Sequence, residues 1–213
     1  MQQRDDLRNK LIVYLQDACA MEHQLVQVLE GQVKDTADYP QIQARVQQHL
    51  EETRLHEQRM EQRLAAYNEK PSGAKSVGAS LTGNLLGALA AGRSDSLAKT
   101  ARDDYMAEHM EIAAYELLIA TADLCGDQET VVAAQANLRD ELRMANWLEQ
   151  HLPDTVVYSF QKEQIPLNES EIPTLRQSVL NSLQQARAGL EYASGMDVNP
   201  IDVARTSTPP NPM

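Results

Sequence analysis

The amino-acid sequence predicts an all-α fold: a four-helix bundle built from two antiparallel hairpins with a crossover, plus a C-terminal helical extension. Hydrophobic residues make up 42% of the 213 residues but aromatic residues only 4%, a composition that favours helix over sheet. Apolar residues recur at helical spacing in five segments. Short breaks separate the first segment from the second and the third from the fourth, as in helical hairpins.

The first hairpin is predicted from two long amphipathic segments. The first helix is expected over about Asp5–Lys34, with a leucine-rich stripe on one face. Pro40 follows a short break and suits the first turn of the next helix. That second helix is expected to continue to about Asn68, with Glu52 at the edge of its apolar stripe.

The second hairpin is predicted after a change of composition. Residues 71–94 are rich in Gly, Ser and Ala and are interpreted as a crossover that contains a short helix. The third helix is expected to begin near Ser94 or Asp95, either of which can cap it, and to stop at Gly126. The fourth is expected over about Gln128–His151, with Pro153 following its end.

These elements predict three regions along the chain. The bundle is expected to occupy residues 1–152, and an extension residues 153–197 with one amphipathic helix over about Ile172–Tyr192. Residues 198–213 contain four prolines and are expected to form a flexible tail.

Charge and cysteine content exclude some classes of function. A formal net charge of −12 argues against nucleic-acid binding and is compatible with attraction of small cations. No stretch approaches the roughly 20 apolar residues that span a bilayer, and the polar start, Met1–Lys10, predicts no signal peptide. The two cysteines, Cys19 and Cys125, are expected to be free thiols in a reducing cytoplasm.

Four glutamates, one on each predicted bundle helix, share a position. Each faces the apolar side or its edge, and each lies fifteen residues from its hairpin turn, taken near Ala37 or Gly126. At the rise of an α-helix this separation is about 22 Å, so two antiparallel hairpins bring the four carboxylates to one level. They are Glu22, Glu52, Glu111 and Glu141.

Further ligand candidates share this level. Glu108 stands three residues before Glu111, while His49 and His56 stand three before and four after Glu52, so each group shares a helix face. Which of the two histidines is a ligand, and which a core histidine, stays open. Carboxylates with some imidazole suit iron or manganese in a di-metal bundle.

The energetics of burial favour a metal over an ordinary core. An uncompensated buried carboxylate costs several kcal/mol or takes up a proton, and no Lys or Arg is expected on the stripe beside these five. Two divalent ions would supply a charge of +4 against the −5 of the five carboxylates. The alternative is a solvated acidic face, which suits any one of the 31 acidic residues but not matched heights on four helices.

Three short runs carry a resemblance to a known family. Residues 49–53 (HLEET), 108–115 (EHMEIAAY) and 20–24 (AMEHQ) are similar to the YciE/YciF-like family of ferritin-like stress proteins, over about residues 5–152. The resemblance implies a ferritin-like bundle with a carboxylate-bridged di-iron site, assembled as a homodimer. The ligands it implies are Glu22, His49, Glu52, Glu108, Glu111 and Glu141, with His56 as an alternative imidazole.

The chain departs from the wider ferritin pattern, in which Glu and His stand three apart on the second and fourth helices. Leu55 and Met144 occupy the positions where those histidines would stand. The imidazole must therefore come from His49 or His56, or one metal has oxygen ligands only.

The expected function is a di-iron oxidoreductase of stress defence that oxidises Fe(II) with dioxygen or hydrogen peroxide. A manganese pair with catalase chemistry is a variant of the same site, because the ligand types barely separate the two metals. The alternative from another class is a non-catalytic scaffold, in which the helix over about Ile172–Tyr192 docks a partner.

Overall fold

The computed structural model describes residues 2–71, 97–168 and 170–193. These residues form helices without strands, which confirms the all-α prediction. None of the described helices is long and apolar enough to cross a membrane. The helices are α1 (Gln2–Asp35), α2 (Pro40–Ala66), α3 (Leu97–Cys125), α4 (Gln128–Lys162) and α5 (Ile172–Ala193).

Several expectations fall on residues that the structure does not describe. The crossover over residues 71–94 lies outside the described residues except for its first position. The same holds for Ser94 and Asp95, the expected caps of the third helix, and for the tail over residues 198–213. They remain predictions.

The turn between α1 and α2 forms where the sequence predicts it. The backbone N–H of Tyr39 donates to the carbonyl of Thr36 at 2.8 Å, closing a tight turn. Pro40 then opens α2, where a missing N–H costs nothing because the first helical donors have no intrahelical partner. The side-chain amide of Gln43 in α2 donates to the carbonyl of Val33 in α1 at 2.8 Å, and this hydrogen bond joins the two helix ends.

The turn between α3 and α4 uses a glycine and an aspartate. Gly126 has φ 75°, a left-handed conformation that ends a helix without the steric cost of a side chain. Asp127 caps α4, because its carboxylate accepts from the backbone N–H of Thr130 at 3.0 Å. The predicted stop of the third helix at Gly126 is thus confirmed.

The expected end of the fourth helix near His151 is wrong. Helix α4 continues through Pro153 to Lys162, although an interior proline removes one backbone hydrogen bond. Burial of residues after the proline offsets the loss of this hydrogen bond, since Thr155 and Ser159 are each only 4% exposed. The Ser159 hydroxyl accepts from the backbone N–H of Ala98 at 3.1 Å, so this last part of α4 satisfies a donor at the start of α3.

The four long helices pack as two hairpins side by side. Within the described residues α1 packs on α2 and α3 on α4, with further contacts between α1 and α3 and between α2 and α4. One apolar cluster, which includes Leu11, Leu64 and Leu118, fills the end near the α3–α4 turn. Two smaller clusters, around Leu29 and Met144, fill the opposite end. Four buried glutamates lie between these apolar layers: Glu22, Glu108, Glu111 and Glu141.

The chain divides into two compact units, Met1–Glu163 and Gln164–Met213. The second unit contains α5. The bounds of α5, Ile172–Ala193, agree with those of the predicted amphipathic helix. Cys19 and Cys125, both in the first unit, are free.

Candidate metal centre

Four carboxylates from three helices are buried at one level of the bundle. Glu22 of α1 and Glu141 of α4 are 0% exposed, and Glu108 and Glu111 of α3 are 3% and 1% exposed. Helix α2 contributes two imidazoles, His49 and His56, that are almost as inaccessible. The sequence positions these side chains because all of them belong to stripes that face the bundle interior.

The ligand atoms converge in two sets that share one residue. The first set is Glu22, His56 and Glu141, and the second is His49, Glu108 and Glu141. Within each set, one candidate ligand atom from each residue lies within 4.8 Å of the others. Each set is therefore compact enough to surround one metal ion, with Glu141 between the two.

The two oxygens of Glu141 face different histidines. Its Oε1 lies 2.7 Å from His56 Nδ1, and its Oε2 lies 3.8 Å from His49 Nε2. Glu141 therefore presents one oxygen to each of the two sets. The same nitrogens also approach the outer carboxylates, His56 Nδ1 at 3.6 Å from Glu22 and His49 Nε2 at 3.1 Å from Glu108.

Each histidine has a second carboxylate on the other side of its ring. His49 Nδ1 lies 3.4 Å from Glu52 Oε2, and His56 Nε2 lies 3.1 Å from Asp140 Oδ2. Metal-bound histidines commonly donate their second ring N–H to a carboxylate, which fixes the tautomer and turns the other nitrogen toward the metal. Both halves of the site show this arrangement.

The buried polar atoms of the site lack the partners that a folded protein ordinarily supplies. Within the described chain, seven of them have no hydrogen bond, although such groups are almost always paired. Even His56 Nδ1, so close to Glu141, is not in hydrogen-bonding geometry with it. The seven atoms are Glu22 Oε2, His56 Nδ1, Glu108 Oε2, and both carboxylate oxygens of Glu111 and Glu141. This donor set fits metal ions, which satisfy converging lone pairs at once.

The site perturbs the pKa of its carboxyl groups. Burial raises the pKa of Glu108 to about 8, since the attraction of His49 only partly offsets it. Burial also raises the pKa of Glu111 well above its ordinary value, and the neighbouring charge of Glu141 raises it further. Without metal, the protein must therefore hold protons among these groups.

The histidines are perturbed in the complementary direction. Burial lowers the pKa of both rings, but the surrounding carboxylates outweigh it. Glu108 and Glu52 raise the pKa of His49 to about 10. Asp140 and Glu141 raise the pKa of His56 to about 12. Without a metal, each imidazole takes up the positive charge that the carboxylates require.

A hydrogen-bonded chain holds Glu22 in place. The phenol of Tyr115, itself 0% exposed, donates to Glu22 Oε1. Asn137 donates to the Tyr115 oxygen at 2.8 Å and accepts from Arg59 at 2.8 Å. One oxygen of Glu22 is thereby fixed, and the other faces His56. Sequence reasoning did not single out Asn137.

Glu52, the carboxylate candidate on α2, is contacted by neighbouring polar side chains. It belongs to neither converging set, and Arg45 donates to its Oε2 at 3.1 Å while Gln48 donates to its Oε1 at 2.9 Å. Burial would raise its pKa, but His49 and Arg45 outweigh it and lower the pKa to about 2. The expectation that no arginine lies beside the acidic residues is wrong, because Arg45 stands two helical turns before Glu52 on the same face.

Five of the predicted residues thus converge in the two sets, and Glu111 is buried with them. His49 and His56, between which the sequence left the choice of ligand open, each lie in one of the two sets, so both stay ligand candidates. Sequence reasoning missed Asp140 as the carboxylate behind His56. Its signal was available: Asp140 is adjacent to Glu141, and an imidazole aimed at a metal needs an acceptor behind it.

A bundle of two helical hairpins with a buried cluster of carboxylates and imidazoles defines the ferritin-like class, with groups that could hold metal ions. The chain belongs to the DUF892 family, whose model, described as a domain of unknown function, matches residues 6–160. The predicted kinship with the YciE/YciF-like family is confirmed, since the solved structures that resemble the chain include YciF.

The solved structures that are similar to this chain include the following three. A protein from Xanthomonas campestris pv. campestris is 28% identical with a TM-score of 0.63, covering 74% of this chain and 99% of its own. The Escherichia coli stress protein YciF is 22% identical with a TM-score of 0.61, covering 70% and 96%. YcfI from Rhodopseudomonas palustris is 24% identical with a TM-score of 0.56, covering 67% and 92%. They support the bundle fold.

Proposed function

We propose that the protein is a di-iron oxidoreductase that oxidises Fe(II) with dioxygen or hydrogen peroxide. The observation that carries the proposal is the convergence of buried ligand atoms without hydrogen-bond partners around Glu141. The charge count supports it as well. Four buried carboxylates supply −4 and two neutral imidazoles supply nothing, which matches the +4 of two divalent ions.

The ligand assignment follows the two converging sets. One metal would be held by Glu22, His56 and Glu141, and the other by His49, Glu108 and Glu141. Glu111 would add oxygens to this centre, since neither of its own has another partner in the described chain. Glu52, proposed from the sequence as a ligand, is better assigned to orienting His49, as Asp140 orients His56.

When bound, a pair of Fe(II) ions supplies two electrons, which with two protons reduce dioxygen to hydrogen peroxide or hydrogen peroxide to two waters. The chain contributes a fixed and dry site. Tyr115 holds one oxygen of Glu22, and the two carboxylates behind the rings hold both imidazoles. Apolar layers above and below the ligand level keep bulk water from the reacting groups.

The physiological setting is part of the proposal. A role in stress defence is supported by the resemblance to Escherichia coli YciF, which is described as a stress protein. Free cysteines suit a cytoplasmic location, and a homodimer is proposed from the family resemblance. A manganese pair with catalase chemistry stays an alternative for the same ligands, because carboxylate and imidazole accept both metals.

Anaerobic titration of the chelator-treated, full-length protein with Fe(II), followed by dioxygen or hydrogen peroxide, tests the proposal. We expect two Fe(II) per chain and, after oxidation, an ultraviolet absorption from the oxidised iron pair. Glu141→Gln should lose both signals. Glu30→Gln is the matched control, because Glu30 is 49% exposed and pairs with Arg54 away from the site. Absence of stoichiometric metal in the wild type would favour the scaffold function instead.

A further inference from the structure

The described part of the bundle encloses a cavity at the end near the α1–α2 turn. All four bundle helices contribute to it, and about 20 Å³ is available to the centre of a water-sized molecule. A single water needs about 10–15 Å³ by this measure, so the cavity can hold one small molecule. Its apolar walls are Ile42, Val46, Leu97, Ala101, Met144 and Leu148.

The inner wall of the cavity adjoins the metal ligands. Val46 stands three residues before His49 on α2, and Met144 stands three residues after Glu141 on α4. Residues at this spacing share a helix face one turn apart, which is about 5.4 Å. Val46 is 5% exposed and Met144 is 2% exposed, so this wall of the cavity is buried within one helical turn of two candidate ligands.

The outer wall reaches the surface of the described bundle. Leu97, Thr100, Trp147 and His151 line the cavity and are half-buried. Trp147 and His151 stack with ring centroids 4.3 Å apart and form one side of this rim. The cavity therefore extends from this rim to Val46 and Met144, one helical turn from His49 and Glu141.

Several polar side chains of the wall have hydrogen-bond partners within the described chain. Gln32 donates to Asp104 at 2.5 Å, and the Thr36 hydroxyl donates to the Gln32 carbonyl at 2.7 Å. The hydroxyl of Thr155 donates to the carbonyl of Leu152 at 2.7 Å. The surface that faces the cavity is consequently almost wholly apolar.

We infer that this cavity binds dioxygen on its way to the metal centre, an assignment that rests on the proposed di-iron function. Dioxygen forms no strong hydrogen bonds, so an apolar enclosure of this size accepts it without loss. Hydrogen peroxide would give up its hydrogen bonds to water, and an apolar wall does not replace them. The cavity thus favours the apolar oxidant over the peroxide.

Xenon is the first probe, because it is apolar and of similar size, and because apolar cavities in proteins bind it. Crystals of the full chain pressurised with xenon should show a peak between Ala101 and Met144. Ala101→Leu fills the space from α3 and should abolish that peak. Ala113→Leu is the matched control, since it makes the same change on the exposed face of the same helix.

Stopped-flow mixing is the second probe. Protein loaded anaerobically with Fe(II) is mixed with dioxygen or, separately, with hydrogen peroxide. Ala101→Leu should slow the dioxygen reaction at least tenfold and change the peroxide reaction less than threefold, with anaerobic iron stoichiometry unchanged. Ala113→Leu should match the wild type. Should Ala101→Leu fail to fold by circular dichroism, Val46→Phe fills the same cavity from α2 and decides the result.

The two probes separate this inference from the proposed function. No xenon in the wild-type cavity, or an unchanged dioxygen rate in a filled variant that binds iron, overturns the inference alone. Equal slowing of dioxygen and peroxide also overturns it, because the cavity would then admit polar oxidants. Failure of the wild type to bind iron would overturn both the proposed function and the passage of dioxygen to a metal.

Discussion

Two acidic clusters of the bundle are built in opposite ways. Near the α3–α4 turn, the Asp127 carboxylate lies 3.0 Å from Arg63 Nη2, accepts from the Tyr67 hydroxyl at 2.6 Å, and caps the first turn of α4 through Thr130. At mid-height, the described residues give Glu111 no hydrogen-bond partner at all. Both clusters lie between helices of the same bundle, so they differ in the hydrogen-bond and ion-pair partners of their carboxylates.

The pKa values follow that difference. Burial would raise the pKa of Asp127, but Thr130, Tyr67 and Arg63 together outweigh it and hold the pKa below its ordinary value. Burial raises the pKa of Glu111, and neighbouring carboxylates raise it further. A buried carboxylate that stabilises the fold has hydrogen-bond donors around it, as Asp127 does. A buried carboxylate without donors, such as Glu111, indicates a site that binds a ligand.

The largest expected effect is on metal binding at the shared ligand. Glu141→Gln should abolish occupancy of both metal positions, because each oxygen of Glu141 faces a different set. Metal content after equilibrium dialysis measures it. Asp127→Asn should keep two metals per chain. Equal metal loading in the two variants would contradict the claim that the mid-height cluster binds metal and the Asp127 cluster does not.

The carboxylates behind the imidazoles should have a smaller effect. Asp140→Asn and Glu52→Gln should each weaken metal affinity about 10–100-fold without abolishing binding, as for other groups that orient metal-bound histidines. Competition with a chromophoric chelator measures these affinities. If Glu52→Gln loses metal as completely as Glu141→Gln, then Glu52 is a ligand, and the orienting role assigned to it here is wrong.

Stability of the metal-free protein should change in opposite directions in the two clusters. Glu111→Gln removes a carboxyl group that must take up a proton to be buried without metal, and should stabilise the apo protein by about 1–3 kcal/mol. Asp127→Asn removes a charge that Arg63 and Tyr67 partner and should destabilise it by about 1–2 kcal/mol. Urea unfolding in the presence of a chelator measures both, and the same sign for both variants would contradict the contrast.

A further effect is expected in the pH dependence of apo stability. The pKa of Glu108, about 8, and that of His49, about 10, both lie above their unfolded values. The folded apo protein therefore binds more protons than the unfolded chain between about pH 5 and pH 9, and its stability should fall as pH rises. Thermal melts at pH 6 and pH 9 measure it. Metal-loaded protein should not show this fall, because metal replaces the protons.

The sequence predicted the level of the site better than the identity of every ligand. Helical spacing and distance from the turns placed Glu22, Glu111 and Glu141 together, since both follow from the 1.5 Å rise of a helix. These two features could not determine whether Glu52 is a metal ligand. Its position at the edge of a stripe lets the side chain turn either to the metal or to Arg45, and that choice depends on packing between helices.

The helix ends show the same limit. Gly126 ended α3 as predicted, because its left-handed conformation is a local property of the residue. Pro153 did not end α4, because the contacts of Ser159 with the start of α3 lie far away in sequence. Local signals were reliable where the local energy dominates, and tertiary contacts decided the rest.

Crystals of the full-length protein soaked anaerobically with Fe(II) test the central claim most directly, through anomalous scattering at the iron edge. We predict two iron peaks on either side of Glu141, one beside Glu22 and His56 and the other beside His49 and Glu108. A map with no peak at this level, and with the buried carboxylates paired to protein groups or water, would contradict the account.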